Sequence, residues 1–142
     1  MTAEITCPHC DCRAAPVDFP TVRFAVRQPF AVADLADHDW AICTTPDCPI
    51  YYFAVDAPDR TLAVGDLRRM PATKSANADA TFCFCFDLPR ATVRGPDALA
   101  AIAYVRARVA AGECACDVLN PSGSCCLGSI TAERKALGLP LR

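Results

Sequence analysis

The chain has 142 residues and a formal net charge of −2, and 53% of it is hydrophobic, a figure that includes eleven cysteines. The length suits one domain or two small ones. No uninterrupted apolar stretch reaches membrane-spanning length, and scattered arginines on a weakly acidic chain make no field for phosphate backbones, so membrane insertion and nucleic-acid binding are not expected.

Thiols this dense act as disulfides in an oxidising compartment or as metal ligands in a reducing one. The residues before Cys7 hold no basic run, and no apolar segment of signal-peptide length precedes it. An odd cysteine count also leaves one thiol over in a closed disulfide framework. Both facts point to metal ligation and a cytoplasmic location.

In chain order, Thr21 begins a segment that could be helical, and Pro29 would end it. Residues 39–43 and 49–55 are rich in aromatic and β-branched side chains and flank the turn-forming Thr-Thr-Pro-Asp of 44–47, which predicts a hairpin. A third strand near 60–64 follows the turn at Ala57, Pro58 and Asp59. The polar, small-residue stretch 71–80 reads as a linker, dividing a zinc-binding, β-rich part (1–70) from a helical part (81–142). In the second part Leu99, Ile102, Val105 and Val109 fall on one helical face, with Gly112 as the stop. A last helix starts near Ser124 to Cys126 and runs to Leu137, with Gly138 and Pro140 beyond it.

Cys7-Pro-His-Cys10 and Cys43-Thr-Thr-Pro-Asp-Cys48 are two short-spaced pairs, the second at the hairpin tip. Four thiolates on two tight loops suit a closed, tetrahedral structural zinc site. Cys12 or His9 could replace one ligand. Dithiol redox catalysis at Cys7 and Cys10 would need a strand before the motif, and six residues leave no room for one. His38 has no evident partner.

Phe82-Cys83-Phe84-Cys85-Phe86 puts two thiols on one side of an extended backbone, where they can share one iron. Cys116 and Cys126 would hold a second iron, with Cys114 and Cys125 as exchangeable neighbours, making a 2Fe-2S centre. The three phenylalanines would shield it, a helix N-terminus at Cys126 would favour the thiolate, and Gly123 and Gly128 would let backbone approach sulfur. A Rieske centre is excluded, since no histidine lies near this set. A second structural zinc site stays open.

Taken together, Cys-Pro-x-Cys near the start, Cys43 to Cys48 followed by Tyr51-Tyr52-Phe53, Cys83-x-Cys85-Phe86, and Cys114-x-Cys116 leading to Asn120-Pro-Ser-Gly-x-Cys-Cys-Leu-Gly128 resemble the N-terminal module of CopZ-type copper chaperones. The resemblance spans almost the whole chain. It implies an α+β fold, a zinc-ribbon-like hairpin followed by a helical 2Fe-2S domain like the bacterioferritin-associated ferredoxins. It also implies zinc on Cys7, Cys10, Cys43 and Cys48, and a 2Fe-2S cluster on Cys83, Cys85, Cys116 and Cys126. In full-length relatives a copper-binding domain follows, which this sequence does not contain, and Pro89 makes the segment after Cys85 less helical than the family leads one to expect. The expected function is one-electron transfer, reducing Cu(II) to Cu(I) for a separate copper chaperone or metal-transport protein, with an unidentified electron donor. If the chain is an enzyme, it is a metal reductase component. The competing expectations are a Cu(I)-binding or delivery protein using the spare thiols of Cys114 and Cys125, and a structural or regulatory adaptor.

Overall fold

A computed structural model describes residues 4–141. Four strands, β1 (Ala14–Val17), β2 (Trp40–Cys43), β3 (Ile50–Ala54) and β4 (Thr61–Ala63), form an antiparallel sheet in the order β1-β2-β3-β4. The expected hairpin is β2–β3, with Ile42 opposite Tyr52 and Trp40 opposite Ala54, and the expected third strand is β4. The structure adds β1, whose Ala-Ala-Pro-Val sequence has little strand propensity. It is held as an edge strand by pairing with β2, and at an edge Pro16 is tolerated.

The two faces of β2 have different tasks. Trp40 and Ile42 point into a core with Val22, Val26, Leu35, Tyr52, Leu62 and Leu67. Ala41 and Cys43 point the other way, to Cys7, Cys48 and Phe53. This is the period-2 alternation of a strand, with both faces buried. Helix α1 (Phe19–Ala25) closes the first core; it begins with proline in its first turn, where no N–H partner is lost. The helix therefore starts two residues before Thr21 and ends before Pro29, which opens a short 3-10 turn.

The second half is not wholly helical. Strands β5 (Thr81–Cys83) and β6 (Leu88–Pro89) form a two-stranded hairpin. Pro89 does not interrupt a helix but precedes one, α2 (Arg90–Arg94), as its N-cap. Then come α3 (Ala98–Ala110), α4 (Cys116–Leu119) and α5 (Leu127–Ala136). Helix α3 buries Ala98, Ile102 and Val105, the last two against Phe82, Val93, Cys126 and Ile130, while Leu99 is only half-buried. The chain leaves α3 through Gly112 at φ 75° and α5 through Gly138 at φ 70°. In both places amides beyond the helix bond back to carbonyls of the last turn, as from Glu113 N to Arg108 O.

The halves touch directly. The Tyr52 hydroxyl on β3 donates to the Pro121 carbonyl, and the Thr21 hydroxyl on α1 donates to the Asp117 carbonyl at 2.5 Å. Among the described residues no helix is long and apolar enough to cross a membrane.

Candidate metal centres

The first cysteine pair is carried on a tight turn. Asp11 at φ 60° reverses the chain, the Asp11 amide bonds to Cys7 O at 2.9 Å, and the Cys7 amide bonds to Cys12 O at 2.9 Å. The second pair spans the β2–β3 connection, where the Cys48 amide bonds to Thr45 O at 3.2 Å. These two turns bring Cys7, Cys10, Cys43 and Cys48 together with their sulfurs all within 4.8 Å of one another. Cys7 Sγ is 3.8 Å from Cys48 Sγ, and Cys10 Sγ is 3.7 Å from Cys43 Sγ. Four sulfurs each about 2.3 Å from a central zinc ion stand roughly 3.8 Å apart, the separation seen in these two pairs, so this donor set suits one tetrahedral ion. His9 and Cys12 are exposed and lie outside the group.

The four thiols are not equivalent. Burial pushes Cys7 up and Cys48 up to about 12. The hydrogen bond with the Thr45 hydroxyl, 3.4 Å from Cys10 Sγ, and then the backbone near Cys12 pull Cys10 down to about 6. The Lys74 ammonium donates toward Cys43 Sγ at 3.5 Å; no zinc-binding pattern in the sequence predicts that contact.

The second set is arranged differently from the expectation. Strand β5 ends at Cys83, and residues 84–87 form a turn with Asp87 at φ 61°, so Cys83 and Cys85 do not share a side of an extended chain. The structure brings Cys85 and Cys116 within 3.5 Å at sulfur, and buries Cys83 and Cys126 in one cluster against which Cys85 packs. Among the described residues, Cys7, Cys10, Cys43 and Cys48 are the one group of three or more such ligand atoms drawn this tightly together; in the second set Cys85 and Cys116 meet at sulfur.

Cys126 is the N-cap of α5, as expected, yet it is not the favoured thiolate of its pair. The bond with Cys83 and then burial push Cys126 up, while the same bond pulls Cys83 down to about 7. Burial raises Cys116 to about 12. The Ala115 amide, 3.3 Å from Cys85 Sγ, is positioned to donate to it. The turn before Cys126 is built by Asn120, whose Oδ1 accepts from the Ser122 amide at 3.0 Å, with Gly123 at φ 73°. The glycines do not abut sulfur: a Cβ on Gly123 would meet Thr21, and one on Gly128 would meet open space. Of the three phenylalanines only Phe82 is buried; Phe84 and Phe86 are half-buried. Cys114 is half-buried and Cys125 exposed, and none of the eleven cysteines is in a disulfide.

His38, expected to be unpartnered, sits between two carboxylates. Its Nδ1 is 2.9 Å from Asp56 Oδ2 and its Nε2 is 3.0 Å from Asp34 Oδ2. The His-Asp spacing of four residues, on a turn that the hairpin covers, was the only sequence signal for it.

Comparisons with known proteins agree with the first site. Residues 4–68 match the zf_CopZ family model, a zinc binding domain. The X-ray structure of the Archaeoglobus fulgidus CopZ N-terminal domain superposes with a TM-score of 0.66 at 22% identity, over 96% of this chain and 99% of that one. No curated protein matches the chain. At that identity the structural likeness establishes a shared mixed α/β fold with an antiparallel sheet. The likeness to a zinc binding domain rests on the family match, which covers residues 4–68.

Proposed function

We propose that the chain is a soft-metal thiolate protein in which Cys7, Cys10, Cys43 and Cys48 hold a structural zinc ion and the thiols of the second half form the working centre. The observation that carries this reading is the cluster of four sulfurs within a segment matching a zinc binding domain. Thiolates select zinc and Cu(I) over hard cations, and a site with no open position anchors backbone instead of doing chemistry. Cys83, Cys85, Cys116 and Cys126 supply a second donor set, and Cys114 and Cys125 adjoin it as thiols able to take up and release Cu(I). On this reading residues 1–70 are the zinc part, 71–80 the connection and 81–142 the thiol part. The cytoplasm keeps the thiols reduced, and a copper chaperone or metal-transport protein is the partner.

A second reading, one-electron transfer, is favoured by the meeting of the Cys85 and Cys116 sulfurs beside the buried cluster that holds Cys83 and Cys126. Four thiolates divided two and two fit a 2Fe-2S group of the bacterioferritin-associated-ferredoxin kind, which when bound supplies a one-electron couple suited to reducing Cu(II). Cys83 and Cys126 would hold the buried side, Cys85 and Cys116 the outer side, and Phe82 would keep water from the inner pair.

Protein purified without air, with zinc, iron and sulfide counted per chain and Cu(I) titrated against a competing chelator, decides between them. Soft-metal binding predicts one zinc, no sulfide, and Cu(I) affinity lost when Cys114 and Cys125 are both changed to serine. Two irons and two sulfides, with a paramagnetic signal on reduction, would move the working centre to electron transfer. Two zincs, with neither sulfide nor Cu(I) binding, would refute both.

A further inference from the structure

Lys74 lies in the connecting segment, half-buried. Its Nζ is 2.6 Å from Thr45 O, 3.1 Å from Cys48 O, 2.9 Å from Ile50 O and 3.5 Å from Cys43 Sγ. An ammonium has three N–H donors, and three carbonyls of the second cysteine turn converge on it. The turn has built a cation pocket, and the chain fills it with its own lysine.

Zinc with four thiolates carries a formal charge of −2. Cys7, Cys43 and Cys48 are buried, so water compensates that charge poorly. Lys74 brings a cation into contact with one of these sulfurs, Cys43 Sγ, and with the Cys48 carbonyl.

The other side of the segment belongs to the second half. The Ala72 amide donates to Thr81 O and the Thr81 amide to Met70 O, both at 2.9 Å. Arg90 Nη2 donates to Ala72 O at 2.6 Å and to Ser75 O at 2.8 Å. Arg90 also pairs with Glu133 on α5 and stacks 5.0 Å over the Phe82 ring, beside Cys83. One short loop is thus pinned to the second half by Arg90 and to the zinc turn by Lys74.

We infer that Lys74 is the counter-cation of the zinc thiolates and that through it zinc occupancy fastens the 71–80 segment, and the second half with it, onto the first. This rests on the zinc reading proposed above. With zinc bound, the cysteine turn is rigid and its three carbonyls stay aimed at Lys74. When zinc leaves, Cys43 and Cys48 lose their common anchor, the carbonyls disperse, and the ammonium returns to water. Linkage makes the effect reciprocal: what zinc adds to the seating of Lys74, Lys74 adds to the binding of zinc. Partners that support metal ligands from outside typically change metal affinity by roughly 10–100-fold.

The test compares the zinc-loaded wild type with Lys74→Met and Lys74→Arg. Zinc transfer to a chromophoric chelator should be about 10-fold faster or more in Lys74→Met. Arginine keeps the charge but spreads its donors over a planar fork that three converging carbonyls do not match, so Lys74→Arg should fall between. In the cobalt-substituted proteins, the thiolate-to-cobalt charge-transfer band should shift to lower energy in Lys74→Met, a change that loose packing alone would not produce. In the wild type, zinc removal should speed hydrogen exchange at the Ala72 and Thr81 amides. If Lys74→Met does not fold, Lys74→Gln, which can still donate to one carbonyl, is judged by the same criteria. Unchanged zinc release, an unmoved cobalt band, or exchange at Ala72 and Thr81 insensitive to zinc would each overturn the inference. A wild type that binds no zinc would instead refute the zinc reading itself.

Discussion

At the scale of single residues, His38 has the clearest electrostatic consequence. Asp56, then Asp34, raise the imidazole above its ordinary value despite partial burial. Arg60 holds Asp34 well below the usual carboxylate range with contacts of 2.6 and 2.7 Å, and His38 holds Asp56 below it. A raised imidazole contributes stability that is complete below its unfolded value near 6.5 and is lost as pH rises through the folded value; depressed carboxylates contribute above their unfolded value near 4. The network should therefore stabilise most between about pH 4 and 6.5. His38→Gln should lower the urea midpoint more at pH 5.5 than at pH 9, and an equal loss at both would show that the imidazole is not charged by its neighbours. The sequence hid this cluster because its members come from two separate segments, 34–38 and 56–60, whereas the cysteines of the first set announced themselves as two local pairs.

At the scale of elements, what could be read in advance was whatever the sequence encodes locally. The β2–β3 hairpin follows from β-branched and aromatic runs around a turn, and α3 from apolar residues at helical spacing ended by Gly112. Strand β1 was not legible, since its extended form is imposed by pairing with β2. The turn at 84–87 was not legible either; Cys-Phe-Cys suits a strand, and only Asp87 in the left-handed region breaks it. Hence the four candidate ligands of the second set could be named from spacing, but their pairing could not. Gly112 offers a direct check on helix termination. A Cβ there would meet nothing within 4 Å, so Gly112→Ala tests backbone conformation alone. It should destabilise by about 1–2 kcal/mol in urea unfolding, the cost of holding an L-residue at positive φ.

At the scale of the whole molecule, the halves are joined by few but buried bonds. Tyr52 to Pro121 and Thr21 to Asp117 run from the first half to α4 and the turn that follows it, between Cys116 and Cys126. Removing either hydroxyl leaves a carbonyl without its donor, at roughly 1–3 kcal/mol where the group is buried. Tyr52→Phe combined with Thr21→Val should separate unfolding into two transitions, one abolished by zinc chelation; a single unbroken transition would mean that the 71–80 segment suffices to hold the halves together. Depth within the second set has a further consequence. Cys83 and Cys126 are 0% and 1% exposed and Cys116 is 6% exposed, whereas Cys85 sits half-buried on an outward turn. A centre built on these four has a front and a back. Of these four, oxidants and competing thiols meet Cys85 first, so damage enters by one doorway, and alkylation of the folded protein should label Cys85 well before the inner pair.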